Sequence, residues 1–358
     1  MRVGIVTQPL EMNYGGIIQN WALQQVLRAL GHNPITIDAY QRYSIPHLLY
    51  SYVKTWHNHR RGIKWMKYPR RYRGAMRNEL MGQFIEEHIA KTRVMWHYKR
   101  GVVKRYRMDA IVVGSDQVWR VGYNENHIED MYLKFAAGLP LKRVAYAASF
   151  GLDKWTYNEQ QTAACAALAR QMDAISVREI SGVDLCRDHL GVDACCTLDP
   201  TLLLDAEGYR KIIDDQWDSS EPYLAVYCLD ITKAKKEFFN RLAAERGLNV
   251  RYFSAGWEAT LTVEQWLAML KNASMVVTDS FHGMVFSILF SRDFYALCNF
   301  KRGNSRIAGL LKELGLEERM VSDTEPTEPV GHVIDWPTVH SRLAALRKES
   351  IDFLSRSL

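Results

Sequence analysis

The sequence has no apolar run near the ~18 residues of a membrane-spanning helix, and its first residues, MRVGIVTQPL, lack the charged and apolar regions of an export signal. Both absences lead us to expect a soluble, unexported protein. The six cysteines (Cys165, Cys186, Cys195, Cys196, Cys228 and Cys298) include no C-x-x-C pair, which argues against a zinc ribbon or a redox dithiol. They lie mostly in apolar segments and read as buried free thiols of a reducing cytoplasm. No His, Cys, Asp or Glu grouping has metal-ligand spacing and no D-x-D motif occurs, so no required metal is expected. Repeats, low-complexity tracts and disorder-type composition are missing too. What is present is 358 residues at 47% hydrophobic composition, enough for a large core and, on length, for two domains.

Charge is unevenly spread. Lys54 to Arg107 holds 16 Lys/Arg against Glu79, Glu86 and Glu87, a net +13, while the remainder carries 30 Lys/Arg against 37 Asp/Glu, a net −7. Trp56, Trp65, Tyr68, Tyr72, Trp96 and Tyr98 are interleaved with those charges. The mixture suits an anionic membrane surface or a phosphorylated lipid carrier; a solvated helical face is the bland alternative. Nucleic acid ranks lower, because no helix-turn-helix, zinc-finger or RNP-type signature accompanies the charge, and none is expected as a partner.

In chain order, RVGIVT (2 to 7) reads as a strand, NYGG (13 to 16) as a Gly-rich turn, IIQNWALQQVLRAL (17 to 30) as an amphipathic helix and ITID (35 to 38) as a second strand. NYGG lacks the G-x-G-x-x-G spacing of a dinucleotide fingerprint, so NAD is not expected. After a basic helical insertion at about 45–107, apolar runs at 109–119, 143–150, 174–179 and 195–200 each end in polar residues. The polar stretch 205–220 marks a domain boundary. Beyond it the alternation restarts with strands at 223–229, 249–254, 275–278 and 293–298, and helices around 233–246, 263–273 and 306–316. An amphipathic helix over 341–358 ends the chain, placed to pack back on the first domain.

One stretch draws the rest together. Met275 to Phe290, MVVTDSFHGMVFSILF, reads as buried strand, tight turn and helix. It puts Ser280, His282 and Gly283 at a helix N-terminus on the carboxyl side of a strand, where unpaired N–H groups and the macrodipole receive a phosphate or carboxylate. A histidine merely capping a core helix is the alternative, and the Ser280, His282, Gly283 cluster argues against it. His282 is expected at an exposed helix terminus.

The motifs NYGGIIQNWALQ, VVGSDQVW, YAASFG, ISVRE, LDPTLLL, VTDSFHGMVFSI and NSRIAGLL, in this order over about residues 3 to 320, resemble the polysaccharide pyruvyl transferase family. The resemblance implies an α/β, GT-B-like fold: two Rossmann-like doubly wound domains facing a central cleft. The N-terminal domain is placed at 1–205 on the acceptor side, the C-terminal domain at 206–340 on the donor side, and the last helix at 341–358. It also implies transfer of pyruvate from phosphoenolpyruvate to two sugar hydroxyls, forming a cyclic ketal and releasing phosphate during capsular or exopolysaccharide synthesis. Phosphoenolpyruvate is then a co-substrate and no cofactor is needed. The partners are that donor and a sugar acceptor, free or carried as a lipid-linked oligosaccharide; the composition of the basic segment, rather than the resemblance, adds peripheral contact with the inner face of the cytoplasmic membrane as an expectation, a solvated face remaining its alternative.

The resemblance also implies roles. His282 matches the motif histidine, for phosphate contact or proton donation, and Arg178 matches the donor-binding arginine, a surface ion pair with Glu179 being its alternative. Some members carry R-x-H where this chain has Ser280, Phe281, His282. Lys301, Arg302 and Arg306 in KRGNSRI are expected to supply the missing charge. Ser280, Gly283, Lys301 and Arg306 thus join the donor side. Asn13, Tyr14, Gln19, Asp116, Gln117 and Trp119 are assigned to the acceptor, with Asp116 as general base or, alternatively, a turn cap. A nucleotide-sugar glycosyltransferase and an inactive glycan-binding relative are the competing functions. Arg178 with the KRGNSRI loop favours a small dianionic donor.

Overall fold

The computed structural model describes residues 1–39, 45–61, 79–124, 127–214, 221–256, 259–298, 305–324, 326–327 and 333–358. Two parallel sheets organise it. The first contains β1 (Arg2–Val6), β2 (Asn33–Thr36), β3 (Ala110–Val113), β4 (Lys142–Ala148), β5 (Ala174–Val177) and β6 (Cys195–Cys196) in the order β2-β1-β3-β4-β5-β6. The second contains β7 (Tyr223–Tyr227), β8 (Asn249–Tyr252), β9 (Met275–Thr278), β10 (Asp293–Cys298) and β11 (Met320–Ser322) in the order β11-β10-β9-β7-β8. The central strands RVGIV, AIVV, YLAVY and MVVT are almost wholly buried, as expected where helices cover both faces of a parallel sheet. Each Val or Ile so buried contributes roughly 1.5–3 kcal/mol.

Strand order fixes where ligands go. In the first sheet the chain leaves β1 for β2 and returns on the other side of β1 as β3; in the second, β8 and β9 flank β7 in the same way. Crevices open outside the carboxyl ends of strands at such reversals. The loops after β1, β3, β7 and β9 therefore converge on one cleft of 510 Å³ between the sheets.

Several boundaries differ from the sequence reading. NYGG is no turn: Asn13 is extended, the Ile17 N–H donates to the Asn13 carbonyl at 3.0 Å, and the helix runs Tyr14–Ala29. β11, only three residues long, is too short to read as a strand from the sequence, although its burial alternates about Val321. The last helix begins at Trp336, five residues early, with Asp335 capping Thr338 N–H at 3.2 Å and Pro337 in its first turn. It lies against the first domain: Ser350 Oγ accepts from Leu198 N–H at 3.0 Å and Arg347 Nε donates to the Leu202 carbonyl at 2.8 Å. Lys142 Nζ holds the carbonyls of Ser357 and Leu358. Cys195 and Cys196 are exposed on edge strand β6, against the expectation of buried thiols; the other four are buried, and all six are free.

The insertion contributes helices Ile45–Arg60, Glu79–His88 and Gly101–Arg105. Trp65, Tyr68, Arg70, Arg71 and Tyr72 lie outside the described residues, as do Lys301 and Arg302. Among the described residues no helix is long and apolar enough to cross a membrane.

Candidate active site

Strand β9 is followed by Asp279 and Ser280, and Ser280 caps the helix Phe281–Leu289, its Oγ accepting from Gly283 N–H at 3.4 Å. His282 therefore projects from the first turn, but it is no exposed terminus: only 6% of it is accessible. The reason is the facing domain. A Cβ at Gly15, in the first turn of Tyr14–Ala29, would stand 1.9 Å from His282 Nδ1, so only glycine lets that turn accept the ring. On its other side, His282 Nε2 stands 3.7 Å from Asp199 Oδ1. That is an ion-pair distance and too long for a hydrogen bond, and Nε2 has no hydrogen-bond partner.

Asp199 is the node. It is 1% accessible; its Oδ1 accepts from the Thr201 N–H at 3.0 Å and hydroxyl at 2.7 Å, and its Oδ2 from Ser115 Oγ at 3.0 Å and Arg178 Nη1 at 2.6 Å. Burial alone would raise this carboxyl, yet His282, Arg178 and Thr201 together hold it well below the usual carboxylate range. Asp199 therefore stays charged, between the Arg178 guanidinium and the His282 ring.

Arg178, just past β5, is not the surface partner of Glu179. Its side chain is 1% accessible, and Nη2 reaches Asp116 Oδ1 at 3.4 Å while Cζ sits 4.8 Å over the Phe281 ring. Nε has no hydrogen-bond partner. Burial would lower this guanidinium, but Asp199 and Asp116 win and hold it above its ordinary value. Glu179 turns away: its Oε1 accepts from Ser149 Oγ and from the Phe150 and Gly151 N–H groups. Burial pushes the Glu179 carboxyl up despite Arg178 and Arg306 nearby.

Arg306 lines the cleft with Cζ 5.9 Å from the Phe281 ring. Burial and the neighbouring Arg178 lower it to about 10, against Glu179 and Asp116. A 240 Å³ cavity behind Phe281 shares Arg178, Asp199 and Arg306 with this charged group.

On the first domain's side, Asn13, Asp116 and Gln117 line the cleft. Asn13 makes no side-chain cap bond. Asp116, held at φ 68°, does not cap its turn through its side chain, which faces Arg178; its backbone carbonyl accepts from Val118 and Ser149. Gln117 Oε1 accepts from Arg120 at 2.6 Å. Three residues assigned to the acceptor are placed otherwise, each fully buried. The Tyr14 hydroxyl donates to the Leu261 carbonyl at 2.6 Å, Trp119 Nε1 to the Met131 carbonyl at 3.0 Å, and Gln19 Nε2 to Thr7 Oγ1 at 2.9 Å. Their polar atoms are spent on the fold, and none lines the cleft.

Asp199 and Gly15 are the site residues that sequence reasoning passed over. Asp199 lay in a quoted motif, LDPTLLL, as an Asp before Pro just after an apolar run. That local pattern marks a cap, and the side chain does cap Thr201; its reach to Arg178 and His282 comes from the tertiary fold. Among the described residues no group of three His, Cys, Asp or Glu is arranged to hold a metal ion.

Two parallel α/β domains with a cleft at facing switch points form a GT-B-like fold. The chain is similar in fold to a UDP-GlcNAc 2-epimerase from Methanocaldococcus jannaschii, with TM-score 0.50 and 11% identity over 96% of this chain and 92% of that one. A protein from Listeria monocytogenes assigned as a UDP-N-acetylglucosamine 2-epimerase gives TM-score 0.50 and 10% identity over 99% and 90%. At such identities the likeness concerns the fold alone. No curated protein matches the chain significantly. The family model for polysaccharide pyruvyl transferase matches residues 13–297. The chain belongs to that family, and is a transferase.

Proposed function

We propose that the protein transfers pyruvate from phosphoenolpyruvate to two hydroxyls of one sugar in a cell-surface or capsular polysaccharide precursor, forming a cyclic ketal and releasing phosphate. One observation carries the reading. His282, at a helix N-terminus, and Arg178 are both held on the buried carboxylate of Asp199, beside a cleft that two helix N-termini and Arg306 also line. A dianionic donor with a carboxylate and a phosphate needs such cations and N–H groups.

The reaction follows from these groups. A sugar hydroxyl oxygen bonds to C2 of the enol while C3 takes a proton; Asp116 accepts the hydroxyl proton and His282, beside Asp199, supplies the one for C3. The second hydroxyl oxygen then bonds to C2 as the C2–O bond to phosphate breaks, and phosphate leaves with the electron pair and the second hydroxyl's proton. Charge on the departing phosphate falls toward Arg306 and the Phe281–Leu289 N-terminus. Asn13 and Gln117 offer amides to acceptor hydroxyls. The reaction calls for no cofactor, and its donor places it in the cytoplasm.

The test is phosphate release from phosphoenolpyruvate with a panel of free and lipid-linked saccharides. Acceptor-dependent release with incorporation of pyruvate is expected. Turnover of a nucleotide sugar with no use of phosphoenolpyruvate would replace this reading with a glycosyltransferase.

A further inference from the structure

The helix Ile45–Arg60 is exposed over most of its surface, its apolar side included. Thr55 is buried at 3% accessibility, while Ile45, Leu49, Val53 and Trp56 are 65, 62, 64 and 49% exposed, with Tyr52 at 42%. At 3.6 residues per turn these five fall within an arc of about 100°. A core-facing helix would bury that stripe; here it faces outward. Single exposed apolar residues are ordinary, but a continuous stripe marks an interaction surface. At its end Arg60 lies over Trp56, Cζ 4.3 Å from the ring centroid, an arrangement that keeps the cation at the level of an interfacial indole. Lys54, Arg60 and Arg61 are exposed, and they open the segment whose net charge is +13 in a chain that is otherwise −7.

We propose that this helix seats the protein on an anionic lipid bilayer, its stripe at the depth of the acyl boundary and its cations among the headgroups. Charge complementarity selects this occupant: the stripe is flanked by the exposed cations Lys54, Arg60 and Arg61, which anionic headgroups attract and a second copy of the same face would repel. Vesicle binding does not depend on which donor the cleft takes.

The test is co-sedimentation of the full chain with vesicles of phosphatidylcholine alone or with phosphatidylglycerol added. Binding only to the anionic vesicles is expected, falling at least tenfold between low and high salt as the attraction is screened. Leu49→Ser with Val53→Ser and Trp56→Ser should lose binding at every salt, and Arg60→Glu with Arg61→Glu should weaken it. Both variants should keep the wild-type melting temperature and rate on a soluble acceptor, since the changed side chains are exposed. Equal binding to neutral vesicles, no binding to anionic ones, or undiminished binding by the triple variant would overturn the proposal. So would a wild-type dimer that the triple variant turns into a monomer.

Discussion

Among the described residues, two buried ionic clusters, one around Lys235 and one around Asp199, are used differently. In the second domain, Lys235 is fully buried between Asp279 and Asp323. Its Nζ donates to the Asp230 carbonyl at 2.6 Å, and the Asp279 oxygens take the Leu229 and Asp230 N–H groups at 2.7 and 3.2 Å. Those charges close the loop after β7 onto the end of β9. In the other cluster, Asp199 gathers Arg178, Ser115, Thr201 and His282, mostly side chain to side chain. Arg178 Nε and His282 Nε2 are left without a hydrogen-bond partner; Asp323 Oδ1 of the Lys235 cluster also makes no hydrogen bond but is ion-paired with the Lys235 ammonium. Burying charge costs several kcal/mol per ion unless attraction and hydrogen bonds offset it. The Lys235 cluster offsets it with backbone and becomes architecture. The Asp199 cluster keeps donors in reserve beside a cleft, which is how preorganised charge serves a ligand.

The largest effect expected is on turnover. His282→Ala should lower kcat for phosphate release by about 10²–10⁴, read at a temperature where the variant is folded, since truncating this buried ring beside Asp199 also lowers the melting temperature. A near wild-type rate would remove His282 from the chemistry and leave the contrast between the clusters without its main support.

Breaking a partner comes next. Asp199→Asn strands the buried Arg178, and Lys235→Met strands Asp279; each should cost about 3–5 kcal/mol of stability in chemical denaturation. Only Asp199→Asn should also depress kcat at temperatures where both variants are folded. Equal losses of kcat would mean the clusters do not differ in kind. Acid sharpens the test. The folded carboxyl of Asp199 titrates below its unfolded value, so its contribution is full above the unfolded value of about 3.9 and is lost as pH falls below it. Melting temperature should therefore fall less steeply from pH 5 to pH 3 in Asp199→Asn than in the wild type.

Geometry without charge is probed by Gly15→Ala. Alanine favours a helix over glycine by about 1 kcal/mol, which partly offsets the ~1–3 kcal/mol of overpacking against the buried ring, so a modest loss of stability is expected and kcat is read where the variant is folded. The added methyl must nonetheless displace the His282 ring, and kcat should drop about tenfold or more, as misplacement of a reacting group by ~1 Å can cost 10². An unchanged rate would show that the ring position is not set from the first domain.

The sequence was most legible where the pattern is local and apolar. Lys233–Arg246, Met275–Thr278 and Asp293–Cys298 fall where periodicity puts them, because a strand buried on both faces leaves an unbroken β-branched or aromatic run. It was least legible where tertiary contact decides. Tyr14, Trp119 and Gln19 have side chains suited to a sugar, but a hydroxyl, indole or amide that can bind a ligand can equally satisfy a buried carbonyl or hydroxyl, and here each does. Arg178 next to Glu179 in sequence suggested a pair, whereas successive residues leave a strand toward opposite sides. The partner was Asp199, 21 residues on and one strand over.

The smallest effect lies between the clusters, at Ser280. Asp279 belongs to the closed cluster and His282 to the open one, and Ser280 links them as the cap of the helix that carries the histidine. Removing a serine cap typically costs ~1 kcal/mol, but the Ser280 to Gly283 bond, at 3.4 Å, is at the long end of hydrogen bonding. Ser280→Ala should therefore cost only about 0.5 kcal/mol, read as a slight drop in melting temperature. If that hydroxyl and the Gly283 N–H turn to the donor's phosphate when it binds, the same variant should raise KM for phosphoenolpyruvate several-fold while kcat stays near wild type. A full cap cost with unchanged KM would assign Ser280 to the architecture with Asp279, and would move the border between the two clusters one residue closer to His282.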